Sequence, residues 1–158
     1  MKKNKLNSIV TIGALVLVMG ALLSCSQQHN PLQTLPNAAE SEQIAIETTL
    51  QFARAVNAKD LSLFRNQTTE EFKKQFSHEQ FNNTFKGFIQ QNINLLPIAK
   101  LKPIFHFPAA LTKDKNLILS GYFPSRPSKV SFSYSYIWRS NQWKVTGIKL
   151  DVIPTSNN

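Results

Sequence analysis

The chain has 158 residues and a net charge of +9, from 18 lysine and arginine residues against 9 aspartate and glutamate residues. This length fits one domain with a sizeable core. The single cysteine excludes an internal disulfide and a cysteine-based metal cluster.

The first 25 residues have the organisation of an export signal. Three lysines within the first five residues precede an uncharged apolar run over residues 9–23, and Cys25 follows shortly after. A helix that spans a bilayer needs about 20 apolar residues, whereas the apolar part of a secretory signal has about 7–15. The run therefore predicts a signal peptide over residues 1–24.

The stretch Leu22-Leu23-Ser24-Cys25 resembles the lipobox of bacterial lipoproteins. The resemblance implies cleavage before Cys25 and attachment of fatty acyl chains such as palmitate, and two or more such chains suffice for stable membrane attachment. An idle thiol behind a plain signal peptide is the alternative, but a lone cysteine in an exported protein favours lipidation. Ser26 after the cysteine implies, by the same resemblance, the outer membrane facing the periplasm.

A polar segment with two prolines follows the cysteine and has no apolar periodicity. Such a composition cannot offset the entropy lost on ordering. We therefore predict a flexible tether over residues 25–40, a folded domain over residues 41–153 and a disordered tail over residues 154–158.

Helical periodicity begins after the tether. Ser41 is a candidate N-cap, and the apolar side chains from Ile44 to Val56 follow at steps of three and four residues. Asn57 suits the left-handed position that ends a helix, and Asp60 suits the cap of a short second helix. The sequence thus predicts one long helix followed closely by a short one.

Two capping boxes predict two further helices. Thr68 with Glu71 begins the first, and Ser77 with Gln80 begins the second. The second helix carries four apolar side chains on one face: Phe81, Phe85, Phe88 and Ile89. An aromatic stripe at helical spacing predicts core packing, and a ligand pocket is the alternative.

Strand-like alternation replaces the helical pattern after Pro97. One strand is predicted over residues 101–107, at a sheet edge or a bulge because Pro103 cannot donate a backbone hydrogen bond. A second strand is predicted over residues 117–123, and Pro124–Pro127 forms the turn that follows.

The last two strands form a predicted hairpin. From Val130 to Trp138 large side chains alternate mainly with serines, and Ser140-Asn141 forms a tight turn into the final strand. In that strand the apolar positions change from odd to even numbers across Gly147. Such a shift predicts a β-bulge, because one extra residue keeps the apolar side chains on one face.

Helices followed by an antiparallel meander indicate an α+β fold, with the N-terminal helices packed on a curved antiparallel sheet. The order of a long helix, a short helix led by Asp60-Leu61, a phenylalanine-rich helix and strands ending in Asn141–Val145 resembles the nuclear transport factor 2-like superfamily. The resemblance covers residues 42–153 and implies a cone-shaped, cystatin-like domain. That superfamily includes isomerases and dehydratases as well as non-catalytic binding and assembly domains.

The residues favour binding over catalysis. An isomerase-like site needs a carboxylate base that faces an oxyanion donor in a dry pocket. Asp114 and Asp151 lie in polar turn or terminal sequence, and alternation directs His106 outward from the sheet. No spacing of histidines predicts a metal site, and no glycine-rich loop predicts a phosphate-containing cofactor.

Two surfaces are candidate binding sites. The interior of the cone would suit a small apolar ligand and would be lined by Phe85, Phe88, Phe132, Tyr134 and Tyr136. The outer sheet face would contact an envelope protein or a second copy of the chain, and its candidate residues are Lys129, Ser131, Ser133, Ser135, Arg139 and Lys144. A plain hydrated sheet is the third interpretation of that face.

Positive charge is concentrated in the C-terminal part, since residues 97–158 contain nine basic and two acidic residues. This asymmetry suits a solvated face or an anionic partner, and without a dense basic run we expect no nucleic-acid partner. The function expected is that of an envelope-anchored lipoprotein with a non-catalytic binding or assembly domain. The alternatives are a carrier of small apolar ligands, an isomerase-like enzyme, and an accessory component of a secretion apparatus.

Overall fold

The computed structural model describes residues 34–155. The predicted signal peptide, Cys25 and the first part of the predicted tether lie outside the described residues, as do residues 156–158. The described part has helices first and a five-stranded antiparallel sheet afterwards. The predicted α+β class is therefore confirmed.

The first helix, α1 (Ala38–Asn57), begins earlier than predicted. Asn37 is its N-cap, because the Asn37 side chain accepts from the Glu40 backbone N–H at 3.0 Å and the Glu40 carboxylate accepts from the Asn37 N–H at 2.8 Å. The prediction that Ser41 caps the helix is wrong, since Ser41 is buried and its hydroxyl lies 3.4 Å from the Pro36 carbonyl oxygen. The left-handed residue after α1 is Lys59, with φ 55°, and Asn57 is still helical.

Three shorter helices follow: α2 (Ser62–Arg65), α3 (Glu70–Gln75) and α4 (His78–Gln90). The N-cap position of α2 is Leu61, one residue after the predicted Asp60, but the Asp60 carboxylate does accept from the Ser62 backbone N–H at 3.0 Å. The bond from Ser62 also lowers the pKa of the Asp60 carboxyl. The carboxylate therefore stays ionised and continues to accept from the helix start.

The two predicted capping boxes have different outcomes. Ser77 and Gln80 form a complete box at the start of α4, as predicted. The predicted box of Thr68 with Glu71 is wrong, because Thr69 accepts from the Phe72 N–H at 3.2 Å and is the N-cap of α3. The Thr68 hydroxyl instead donates to the Arg65 carbonyl at 2.6 Å, so it continues the end of α2.

The sheet contains β1 (Ile104–Phe105), β2 (Ala110–Leu111), β3 (Leu117–Phe123), β4 (Ser128–Arg139) and β5 (Gln142–Pro154). A short 3-10 helix at Ile98–Lys100 precedes it. The order is β1-β3-β4-β5, and β2 pairs with β3 on the same edge as β1. Every pairing is antiparallel.

The first predicted strand is much shorter than residues 101–107, although its place at the sheet edge is confirmed. Pro103 is buried ahead of β1 and cannot donate to a strand ladder. Phe105 pairs with Gly121, whereas Ala110 pairs with Ile118, so the register changes between β1 and β2. The intervening residues, which include Pro108, therefore interrupt this edge.

The predicted bulge in β5 is confirmed. Ser135 pairs with Gly147 and Tyr136 pairs with Val145, which leaves Thr146 as the extra residue. A Cβ at position 147 would collide with the Ser135 hydroxyl oxygen, so that side chain would have to rotate away if another residue replaced Gly147. The bulge keeps Val145 and Leu150 on the same buried face.

The core lies between the helices and one face of the sheet. Phe52 at the centre of α1 is fully buried, and its ring contacts Phe64, Phe85 and Phe88 with centroid distances of 5.4, 5.1 and 5.5 Å. All three contacts are edge-on, the geometry that aromatic quadrupoles favour. The phenylalanine stripe of α4 is therefore core, as its helical spacing predicted.

Candidate functional site

The two tyrosines predicted to line an interior cavity are fully buried and hydrogen bonded to α1. The hydroxyl oxygen of Tyr134 lies 2.7 Å from that of Thr49, and the hydroxyl oxygen of Tyr136 lies 2.9 Å from that of Thr48. Thr49 already donates its proton to the Ala45 carbonyl at 2.8 Å, so Tyr134 is the donor to Thr49. These bonds join α1 to the middle of β4.

Burial raises the pKa of both tyrosine hydroxyls, and the threonine hydrogen bonds offset only part of that increase. Both groups are therefore neutral at physiological pH. Within residues 34–155, no carboxylate is hydrogen bonded to either hydroxyl. The hydroxyls thus connect two elements of the fold rather than face an acid or base.

The other predicted cavity residues belong to the same core. Phe132 stacks on Tyr134 with centroids 5.0 Å apart, and Phe85 and Phe88 pack on Phe52. Three of the five residues reach different surface grooves. Phe88 lines one of about 210 Å³, Phe85 one of about 330 Å³, and Tyr136 one of about 450 Å³.

The predicted partner residues of the outer face are partly or fully exposed. Ser131, Ser133 and Ser135 alternate along β4 with the buried side chains of the core face. The Lys129 ammonium lies 4.8 Å from the centre of the Tyr122 ring, and the Arg139 guanidinium lies 4.0 Å from the Glu71 carboxylate. The face thus combines small hydroxyl groups with scattered positive charge.

At the end of the β4–β5 hairpin the structure brings together two tryptophans to which the sequence analysis gave no role. Ser140 and Asn141 have φ values of 49° and 61°, as the two-residue turn favoured in hairpins requires. The turn places Trp138 directly opposite Trp143, with ring centroids 5.2 Å apart and planes at 68°. These are the only tryptophans in the chain.

A groove of about 450 Å³ separates this tryptophan pair from α1, and we call it the tryptophan groove. Its α1 wall is a stripe at helical spacing that contains Ile44, Glu47, Thr48 and Gln51. Thr48 and Tyr136, which are buried and hydrogen bonded to each other, line its inner end. The remaining lining residues are Gln67, Trp138, Gln142, Trp143, Lys144 and Val145.

A second groove of about 290 Å³ adjoins the same ring pair. It shares Ile44 and both tryptophans with the tryptophan groove and is also lined by Glu40 and Gln43. The two indoles are therefore accessible along a surface that extends from the middle of α1 toward its N-terminal end. The tryptophan groove alone, at about 450 Å³, falls within the range of about 300–1,000 Å³ typical of ligand sites.

The polar groups of this surface differ in how far they are already paired. Glu47 accepts from the Gln43 side chain at 2.7 Å, and Gln67 donates to the Leu63 carbonyl at 3.0 Å. Gln51 has no hydrogen-bond partner within residues 34–155. The surface therefore places two indole rings, inclined at 68° to each other, opposite amide and carboxylate groups that retain hydrogen-bonding capacity.

Other chemistries have less support in the described residues. Across residues 34–155 no three histidine, cysteine or acidic side chains come together as metal ligands. In the same part of the chain, no helix has the length and apolar character needed to cross a membrane.

Comparison of the chain with protein-family models, with curated proteins and with solved structures found no match.

Proposed function

We propose that the chain is an outer-membrane lipoprotein of a bacterial envelope, anchored through Cys25, with a non-catalytic binding domain. The domain is a nuclear transport factor 2-like cone, its binding site is the tryptophan groove, and its ligand is a sugar ring. The observation that carries the proposal is that both tryptophans line one groove with unoccupied polar groups, while both buried tyrosine hydroxyls are already hydrogen bonded.

The lipid anchor is supported by the lipobox-like residues before Cys25 and by the absence of another cysteine that could pair with it. Its test is metabolic labelling with a fatty acid in bacteria that express the full precursor. The parent chain takes up label and loses residues 1–24, whereas Cys25→Ser remains unlabelled and uncleaved by the lipoprotein peptidase. Equal labelling of the variant would refute the anchor.

The cone is supported by the order of elements and by the bulge in β5. Four helices precede an antiparallel sheet, and α1 is hydrogen bonded to the middle of β4 through two threonine–tyrosine pairs. The extra residue at Thr146 gives β5 the local twist that lets a sheet bend around a helix.

A sugar ring fits the chemistry of the groove better than an apolar or strongly anionic molecule does. Pyranose rings have an apolar face of C–H groups that packs on indole rings, and hydroxyls at their edges that both donate and accept hydrogen bonds. Trp138 and Trp143 provide the aromatic wall, and the Gln51 amide can donate and accept. Glu47 accepts hydrogen bonds but disfavours an anion at the α1 wall.

Tryptophan fluorescence tests this proposal directly, because both tryptophans of the chain line the groove. The lipidated protein would be titrated with chitotriose and with maltotriose in a polyoxyethylene detergent, which contains no sugar. We expect a saturable change in emission with at least one of them. Tetramethylammonium chloride would probe the competing possibility that the two rings bind a cation.

A variant that keeps both tryptophans separates binding from loss of the signal. Gln51→Ala removes one hydrogen-bonding side chain from the groove and is expected to weaken binding about 3- to 10-fold. Gln90→Ala, on an exposed position of α4, is the matched control and is expected to leave affinity unchanged. Equal affinities of the two variants, or saturation by tetramethylammonium alone, would contradict the sugar assignment.

A second candidate function, the carriage of a small apolar ligand, is favoured by the 330 Å³ groove between α3, α4 and the bulge of β5. Phe72, Phe76, Phe81 and Phe85 line this phenylalanine groove. A neutral apolar fluorescent probe such as N-phenyl-1-naphthylamine would bind there, and Phe76→Ser would weaken binding while Phe107→Ser, at an exposed site, would not. Identical binding by both variants would remove this candidate.

A further inference from the structure

The last strand, β5, has a long free edge. Among residues 34–155 it is the terminal strand of the sheet and pairs with β4 only. The beginning of this edge is covered, because the Thr69 backbone N–H at the start of α3 donates to the Val145 carbonyl at 3.1 Å. Beyond the bulge, the edge of residues 148–153 has no backbone partner within the described part of the chain.

Two hydrogen bonds establish which backbone groups point toward this edge. The Val145 carbonyl points away from β4 toward α3, and the Thr155 N–H points toward β4 because it donates to Pro127 at 2.9 Å. In an antiparallel pair, residues alternate between bonding the neighbouring strand and pointing away from it. This alternation, followed along β5 from Val145 and from Thr155, gives the same result in both directions. Ile148, Leu150 and Val152 present their N–H and C=O groups at the free edge.

The sequence at this edge is complementary to itself. If two copies pair antiparallel about Leu150, then Leu150 faces Leu150, Ile148 faces Val152, and Lys149 faces Asp151. The first two pairings join the residues whose backbone groups are free, so about six inter-chain hydrogen bonds can form along the edge. If the pairing shifted by one residue, the free backbone groups of one chain would face residues of the other chain whose backbone groups already bond β4. The inter-chain hydrogen bonds would then be lost.

We propose that a second copy of this chain binds here, with β5 pairing antiparallel to β5 about Leu150. The pairing joins the two five-stranded sheets into one continuous sheet across a two-fold axis. It is independent of the tryptophan groove, which lies at the opposite end of β5.

The side chains on both faces of the edge support this partner. Lys149 and Asp151 are exposed and lie on the outer face, with the ammonium and carboxylate 3.6 Å apart within the chain. In the pair each Lys149 would face the partner's Asp151 at a non-hydrogen-bonded position, where side chains approach most closely. On the inner face Val152, 38% exposed in the single chain, would be covered by Ile148 of the partner.

Exposed sheet edges in soluble proteins are usually blocked by inward charges, by proline or by a covering element. Here Pro154 ends the strand and α3 covers its beginning, so the intervening residues are left open. Lysine alone would repel a second copy, but lysine and aspartate placed symmetrically about Leu150 attract one. The charge arrangement therefore selects this register over its neighbours.

Charge reversal tests the proposal, because both side chains are exposed and neither belongs to the core. The oligomeric state of the lipidated protein in detergent would be measured by sedimentation velocity, with circular dichroism as the check on folding. We expect the parent chain to form a dimer. Lys149→Asp and Asp151→Lys, which place like charges opposite each other, each raise the dimer dissociation constant about tenfold or more.

A mixture of the two single variants tests whether opposite charges at the edge are what restores the dimer. A chain with two aspartates at the edge faces a chain with two lysines, so the mixture regains the dimer affinity that each variant alone has lost. Lys113→Asp, in the exposed turn between β2 and β3, is the matched control and leaves the dimer unchanged. A monomeric parent chain, dimers that neither reversal weakens, or a mixture that does not recover would each overturn the proposal.

Discussion

Tyr134, Tyr136 and Trp138 lie on the same face of β4 but have opposite environments. Tyr134 and Tyr136 are fully buried and hydrogen bonded to α1, whereas Trp138, two residues further along, is partly exposed beside a groove. The helix accounts for the difference. It presents Thr48 and Thr49 to the tyrosines, but Ile44, Glu47 and Gln51 to the groove that separates it from the tryptophans.

This contrast distinguishes residues that hold the fold together from residues that remain available to a ligand. A buried polar group without a partner costs about 1–3 kcal/mol, so a core satisfies its own hydroxyls. A ligand site keeps polar groups accessible and supplies their partner only on binding. The buried hydroxyls of the described core follow the first rule, and the tryptophan groove follows the second. Among the described residues, one buried side-chain atom outside the core, Oδ1 of Asn82, has no partner.

Truncation of the central core ring is expected to have the largest effect. Phe52→Ala removes edge-on contacts with three other rings and leaves a cavity, so the free energy of unfolding should fall by about 3–5 kcal/mol. Trp138→Ala removes a partly exposed side chain and should cost clearly less, while it abolishes sugar binding. Urea unfolding followed by circular dichroism measures both, and equal losses would argue that the tryptophans are core residues.

Alkaline pH should destabilise the protein through the two buried tyrosines. Their pKa is raised in the folded state above the value of about 10 in the unfolded chain, so the unfolded state releases its protons first. Stability is then fully present below pH 10 and falls above it, by up to about 1.4 kcal/mol per pH unit for each tyrosine. Urea unfolding between pH 9 and 11 measures this slope.

The Tyr134→Phe/Tyr136→Phe double variant is the control for the alkaline slope, since it keeps all lysines that titrate in the same range. Its stability should fall less steeply above pH 10 than that of the parent chain. An identical slope in both proteins would mean that the two hydroxyls are not shielded from solvent in the folded state.

Removal of single tyrosine hydroxyls should have smaller effects. Tyr134→Phe and Tyr136→Phe each remove one hydrogen bond to α1 and should lower the free energy of unfolding by about 0.5–1.5 kcal/mol. Only Tyr136 lines the tryptophan groove, so Tyr136→Phe should also change sugar affinity, whereas Tyr134→Phe should not. A change in affinity with Tyr134→Phe alone would place the ligand elsewhere.

The sequence predicted the elements that depend on local pattern. Residues 117–123 form β3 as predicted, and the odd-to-even shift across Gly147 located the bulge, because alternation and turn residues act over short distances. The N-cap of α1 was predicted incorrectly, because both Asn37 and Ser41 are residue types that cap helices. The reciprocal hydrogen bonds between Asn37 and Glu40 place the start of the helix at Asn37. The strand at residues 101–107 was overestimated, because its edge is interrupted before β2.

The candidate site could not be predicted in the same way. Trp138 and Trp143 continue the apolar alternation of Tyr136 and Val145, so pattern alone assigns all four to the core face. Whether such a residue is covered depends on where α1 crosses the sheet, which is a tertiary property. The available signal was that the Ser140-Asn141 turn places the two tryptophans opposite each other.

The most direct test of the central claim is a two-dimensional NMR spectrum of the nitrogen-15-labelled protein during titration with chitotriose and maltotriose. The two indole N–H signals belong to Trp138 and Trp143 and are separate from the backbone signals. We predict that at least one sugar shifts both indole signals together with the Gln51 side-chain amide, in a saturable way. Unchanged indole signals at saturating concentrations of both sugars would contradict the assignment of the tryptophan groove as a sugar site.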